Sequence, residues 1–195
     1  MDTHSALLII DLQNDFCPGG ALAVPDGDAV VPVINRAINH FSARGLPIIA
    51  SRDWHPPQTS HFRPFGGIWP PHCVQGTPGA GFHPDLRLPP EAVIVSKGTD
   101  PSRDDYSAFQ ARDEQGTSLP ELLTSLGVTH ICVCGLATDY CVKETVLEAR
   151  RCGITVTVLT DAVRGVDLTP GDSERALAEM RAAGSIPATT ADLAQ

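Results

Sequence analysis

Ala6-Leu7-Leu8-Ile9-Ile10 is an unbroken apolar run that stops on a charge, Asp11. Nothing in it alternates, so a strand built from it is buried on both faces, the condition of strands inside a parallel sheet. Pro47-Ile48-Ile49-Ala50, Ala92-Val93-Ile94-Val95, Ile131-Cys132-Val133-Cys134 and residues 154–159 repeat the pattern, and 185–188 offers a short last strand. Helical patterns fill the gaps. From 28 to 44, Val30, Val33, Ile34, Ala37, Ile38 and Phe41 form one stripe closed by Gly45. Ser118-Leu119-Pro120-Glu121 has capping-box spacing ahead of Leu122, Leu123 and Leu126. A further helix is expected from 138 to 151, broken by Gly153, and a last one opens at 169–172 and runs through Met180. Strand–helix alternation predicts a three-layer α/β/α fold around a central, mainly parallel six-stranded sheet.

Ligands of such sheets bind beyond the carboxyl ends of the strands. Asp11, Asp53, Lys97 and the segment 135–141 follow four of these runs, so all four are expected in one crevice. The 195 residues suit a single domain, 1–195, carrying a long loop insertion at about 53–90. That loop holds most of the prolines, both tryptophans and His55, His61, His72 and His83. Loops of more than about 12–15 residues without structure of their own are usually functional.

Asp11, Lys97 and Cys141 together suit nucleophilic catalysis. A cysteine attacks as thiolate, which a helix N-terminus or a nearby cation favours. Cys141 is expected in the first turn of the helix after Gly135, with Lys97 supplying the cation. Asp11 can accept the thiol proton and return it to a leaving group. Backbone N–H groups at that helix N-terminus would face a developing oxyanion. Each residue alone has a plainer reading: a turn cap, a solvated lysine, a small core thiol. Their common strand-end location is what favours the catalytic one.

Asp53-Trp54-His55, His61 and His72 form a second constellation. Nitrogen and oxygen donors on a proline-stiffened loop suit Zn, Fe or Mn, and a set without thiolate reads as an open rather than a closed structural site. The plainer alternative is a group of surface loop histidines. The two constellations read as physically distinct, with no metal ligand touching the thiolate. A four-cysteine zinc site from Cys132, Cys134, Cys141 and Cys152 is disfavoured, because 132 and 134 lie within an apolar strand and no CxxC pair exists. Cys17 and Cys73 read as packing residues. Gly19-Gly20 and Gly66-Gly67 match no phosphate-binding pattern.

Four segments carry a resemblance: Asp11-Leu12-Gln13-Asn14-Asp15-Phe16-Cys17-Pro18-Gly19-Gly20, Asp53-Trp54-His55-Pro56, Trp69-Pro70-Pro71-His72-Cys73-Val74-Gln75-Gly76-Thr77-Pro78-Gly79 and Gly135-Leu136-Ala137-Thr138-Asp139-Tyr140-Cys141-Val142. Over about 5–188 the chain resembles the nicotinamidase/pyrazinamidase branch of the isochorismatase-like cysteine hydrolases. The resemblance implies a triad of Asp11, Lys97 and Cys141. It implies an oxyanion hole from the N–H groups of Ala137 and Cys141, set by a cis peptide between Leu136 and Ala137. It implies one divalent metal ion on Asp53, His55 and His72, with His61 as a fourth ligand in some relatives. Phe16, Trp69, Tyr106 and Tyr140 match positions walling a pyridine pocket, though some relatives have histidine where Tyr140 stands. The charged stretch 98–105 matches no part of the pattern.

The implied activity is hydrolysis of nicotinamide, and of pyrazinamide, through a cysteine thioester, in NAD salvage. The rivals are a related amidase acting on carbamoyl or ureido substrates, an isochorismatase proper and a non-enzymatic metal or thiol sensor. The complete metal set argues against the first, and Cys141 against the second. With 14 Lys plus Arg against 23 Asp plus Glu, the net charge of −9 disfavours nucleic acid and anionic membrane as partners. No apolar stretch reaches about 18 residues and no basic leader precedes the first strand, so the expected compartment is the cytoplasm, where six cysteines stay thiols. The metal's identity and any homo-oligomer stay open.

Overall fold

Every residue of β1 (Ser5–Ile10) is buried, and alternate residues feed two different cores. The computed structural model describes residues 3–194. Leu7 and Ile9 pack with Ile34, Ala37, Ile38 and Phe41 of α1 (Val31–Ser42). Ala6, Leu8 and Ile10 join the opposite core, with Leu119 and Leu123 of α2 (Leu119–Ser125), Val146 and Ala149 of α3 (Lys143–Arg151), and Ala176 and Met180 of α4 (Asp172–Ala182). The three layers expected from the alternation are present.

The remaining strands are β2 (Ile48–Asp53), β3 (Val93–Lys97), β4 (His130–Leu136), β5 (Thr155–Arg164) and β6 (Ile186–Ala188). They line up as β3-β2-β1-β4-β5-β6, and every neighbouring pair is parallel. The chain builds outward from β1 in one direction and then, from β4, in the other. The boundary between β1 and β4 is therefore the switch point, where a crevice opens beyond the strand ends. Asp11 follows β1 and Ala137 follows β4. Asp53 and Lys97 are register partners at the ends of β2 and β3.

Three boundaries differ from expectation. The helix from 28 begins as a 3-10 turn over Gly27–Val30, and α1 proper has Pro32 in its first turn. The helix from 138 opens as a π-helical turn over Thr138–Val142 that runs straight into α3, so Cys141 lies in the first helical turn, but one of π rather than α geometry. Strand β5 continues five residues beyond Leu159, because its pairing with β4 jumps from Val133–Val158 to Gly135–Val163. Between β2 and β3 only short 3-10 turns, Arg63–Phe65 and Pro78–Ala80, interrupt the long loop. The Ser118–Glu121 capping box forms as its spacing predicts. Among the described residues no helix is long and apolar enough to cross a membrane.

Gly135 makes the switch point possible. Its φ is +114°, and a Cβ there would run into the Ile10 carbonyl of the adjacent strand. Gly153, at φ +79°, has open space around the same position. Urea unfolding should therefore separate the two: Gly135→Ala is expected to cost about 2–6 kcal/mol, strain plus clash, and Gly153→Ala only about 1. Equal losses would show that close approach to β1 is not what requires glycine.

Candidate active site and metal cluster

The Lys97 side chain is 1% exposed and reaches from the end of β3 back toward β1. Its Nζ lies 2.9 Å from Asp11 Oδ2, is hydrogen-bonded to Asp53 Oδ1, and sits 3.4 Å from Cys141 Sγ. Asp11 takes a left-handed backbone, φ 44°, directly after β1. Its Oδ1 accepts a hydrogen bond from Ser51 Oγ at 2.6 Å, while Oδ2 has no hydrogen-bond donor of good geometry despite the ion pair. Thr145 Oγ1 donates to Cys141 O at 2.6 Å and accepts from Ala108 N, tying the π turn to its surroundings.

Burial would lower the Lys97 ammonium, yet the charges of Asp11 and Asp53 hold its pKa well above the ordinary value. Burial likewise opposes ionisation of Asp53, and Lys97 with the adjacent histidines overrides it, keeping this carboxyl well below the usual range. Asp11 goes the other way: burial raises it, and Lys97 only partly compensates. Cys141 is raised well above the usual thiol value by burial, with Asp11 and Asp53 adding to the effect and Lys97 opposing it. Lys97 thus favours the thiolate as its charge requires, while burial and the two carboxylates oppose it.

His55, His61 and His72 converge, with donor atoms within 4.8 Å of one another, all buried. Each ring turns Nδ1 to an oxygen that can only accept: Gly98 O at 3.0 Å, Asp104 Oδ1, and Pro70 O at 2.8 Å, respectively. Nδ1 is therefore the donor in each contact, and Nε2 is the nitrogen left to the cluster. Buried His55 Nε2 has no hydrogen-bond partner. Asp53 Oδ2 lies 3.7 Å from His55 Nε2 and 3.9 Å from His72 Nε2. Burial pushes His72 down to about 4 and lowers His61, so both are neutral donors. Three converging imidazoles, a carboxylate and an orphaned nitrogen fit a divalent cation. Asp11, Asp53 and Cys141 also cluster, but there Lys97 already supplies the positive charge. Because one Asp53 oxygen faces Lys97 and the other the histidines, the two constellations are joined rather than separate.

Phe16, Trp69, Tyr106, Tyr140, Ala137, Cys141, Asp53, His61 and His72 all line one cavity, about 450 Å³ including its open mouth. Trp69 Nε1 donates to Tyr106 Oη at 2.8 Å, and Tyr140 packs edge-on against Trp69 at 5.1 Å. The Leu136–Ala137 peptide is cis, as the resemblance implies. His83 stays outside this group.

Sequence reasoning misses several supporting residues. Gln13 donates to Asp53 O and Ala80 O, at 2.8 and 2.9 Å, and accepts from Asp53 N at 2.7 Å. Its only signal is its place in the segment after Asp11. Asp15 Oδ2 accepts from Cys73 N at 2.7 Å, fixing the residue after His72. Leu22, Val24, Asp105 and Val166 complete the cavity wall. Asp139 accepts from Val166 N and Asp167 N, bracing that wall from the π turn. The unassigned stretch 98–105 proves to back the histidines.

An isochorismatase domain model matches residues 5–192. The nicotinamidase of Escherichia coli K12 is 46% identical, over 96% of this chain and 95% of that protein. The nicotinamidase/pyrazinamidase of Mycobacterium tuberculosis is 41% identical, over 91% and 95%. Among solved structures, the pyrazinamidase of Pyrococcus horikoshii in complex with zinc superposes with a TM-score of 0.88 at 46% identity, covering 95% of this chain and 99% of that one.

Gln13 yields a prediction on stability. Gln13→Leu leaves Asp53 N, Asp53 O and Ala80 O without their partner inside the protein, and should cost about 2–5 kcal/mol in urea unfolding. A loss within about 0.5 kcal/mol would mean that Asp53 does not depend on this side chain.

Proposed function

The chain belongs to the isochorismatase domain family, and on that footing we propose that it is an amidohydrolase converting nicotinamide to nicotinate and ammonia, with pyrazinamide as a second substrate. The observation that carries the reading is the Lys97 ammonium held between the Asp11 carboxylate and Cys141 Sγ beneath an aromatic-walled cavity. A carbamoyl or ureido amidase would need the same triad but has no use for the converging histidines beside it.

In this reading the flat pyridine ring enters among Phe16, Trp69, Tyr106 and Tyr140, whose rings offer stacking and edge contacts. Cys141 Sγ attacks the carboxamide carbon as its proton passes to Asp11 Oδ2, the oxygen without another donor. Lys97 stabilises the negative charge wherever it rests, on sulfur or on carboxylate. The N–H groups of Ala137 and Cys141 receive the oxyanion. Its collapse expels ammonia, which takes the proton back from Asp11, and leaves a nicotinoyl thioester on Cys141. Asp11 then draws a proton from water, hydroxide attacks the thioester, and nicotinate departs as the thiol is restored.

Asp53, His55, His61 and His72 would hold the metal ion. Bound there, a zinc, iron or manganese ion supplies a Lewis-acidic point that orients the ring nitrogen. The product is a precursor for pyridine nucleotides, so the proposed role is NAD salvage. We assign the enzyme to the cytoplasm on its acidic composition and its free thiols.

Ammonia release from nicotinamide is the direct test. The wild type should be active, and Cys141→Ala should lose at least about a thousandfold in kcat with its circular dichroism unchanged. A nicotinoyl adduct trapped on Cys17, Cys73, Cys132, Cys134 or Cys152 would remove Cys141 as nucleophile. His55→Ala should purify with little bound metal and a KM for nicotinamide raised about tenfold or more. Benzamide keeps the carboxamide without the ring nitrogen and should be a poor substrate for the wild type. Equal turnover of the two amides would show that nothing in the site reads the ring nitrogen.

A further inference from the structure

The segment from Gly98 to Asp105 joins Lys97 of the triad to Tyr106 of the cavity wall, and it leans on the histidine loop throughout. Gly98 O accepts from His55 Nδ1, and a Cβ at position 98 would collide with that ring. Pro101 O accepts from Ser60 N at 2.8 Å and Thr59 Oγ1 at 3.3 Å. Asp104 Oδ1 accepts from His61 Nδ1. Asp105 turns the loop back, accepting from Gly98 N and Arg103 Nε.

His61 depends on this loop more than its neighbours do. His55 follows the end of β2 directly, whereas His61 lies in irregular chain whose preceding residues are pinned by Pro101. Its ring stacks on His55 at 4.7 Å and lies 5.4 Å from His72, 5.8 Å from Tyr106 and 6.5 Å from Trp69. Rotation about its Cα–Cβ–Cγ bonds is restrained at the far nitrogen by Asp104. Of the three Nδ1 acceptors, this one alone is a charged side chain, and its partner ring is 6% exposed. A carboxylate behind an imidazole fixes the tautomer, aims Nε2 and makes that nitrogen a stronger donor.

We propose that Asp104 is a positioning residue: it fixes the tautomer of His61 and turns its Nε2 into the cluster with Asp53, His55 and His72. Asp104 touches neither substrate nor metal; it acts through His61. The inference rests on the metal-site reading above and deepens it, since it names the residue that aims one of those ligands.

Zinc affinity tests it, measured on the full chain stripped with a chelator and titrated against a chromophoric competitor. Asp104→Ala should weaken zinc binding about 10–100-fold. Asp104→Asn, which keeps an acceptor oxygen but not the charge, should recover part of that loss. The Asp104→Ala change made in a His61→Ala background should cost nothing further, because its effect passes through that ring. Melting of the metal-free protein should be nearly unchanged in Asp104→Ala, since this side chain is half exposed. Wild-type zinc affinity in Asp104→Ala overturns the proposal. So does a loss that persists undiminished in the His61→Ala background. If His55→Ala and His72→Ala also bind zinc like the wild type, the metal-site reading itself is what has failed.

Discussion

A lysine ammonium buried between two carboxylates and a thiol is the arrangement on which the rest of the site depends. Moving such a charge out of water costs several kcal/mol unless it is paired, and removing one partner of a buried pair costs about 3–5 kcal/mol. Lys97 is paired twice, with Asp11 and Asp53. Those residues stand at the ends of three adjacent parallel strands, so the ion pairs tie the ends of β1, β2 and β3 together. Sulfur enters the group last, from the turn after β4. Its ionisation is opposed first by burial and then adjusted by charges that three other strands supply.

Asp53 gives this centre its second function. Its backbone is held by Gln13, one carboxylate oxygen is spent on Lys97, and the other faces the histidines. Any change in charge on the histidine side is felt by Lys97 through one carboxylate group. The loop 98–105 adds a covalent version of the same coupling, since it starts at Lys97 and supplies oxygens behind His55 and His61.

Much of this is legible without coordinates, for physical reasons. Continuous apolar runs such as 6–10 can be satisfied only between two layers, and the chemistry follows them because parallel strands end together. Asp11, Lys97 and Cys141 converge at those strand ends, and His55, His61 and His72 gather beside them. The stretch 98–105 is opaque in the sequence because its work is done partly by backbone carbonyls of Gly98 and Pro101, which leave no mark on residue type. Asp104 reads there as one more charge in a charged loop. The π turn at 138–142 follows the helical period too closely to be separated from α3 by pattern. The ionisation of Cys141 is hidden for another reason: a lysine at a neighbouring strand end suggests a thiolate, while burial and two carboxylates oppose it.

That last feature bears on how long the enzyme survives. Peroxide and other oxidants consume thiolates far faster than thiols, and exposure matters as much as charge. Cys141 is buried, and burial pushes its thiol up, so the fold shields this sulfur from oxidants and disfavours the thiolate they attack. Burial, Asp11 and Asp53 act together in this protection, and Lys97 opposes them. Exposed Cys152, outside this enclosure, is the thiol that an oxidising medium meets first.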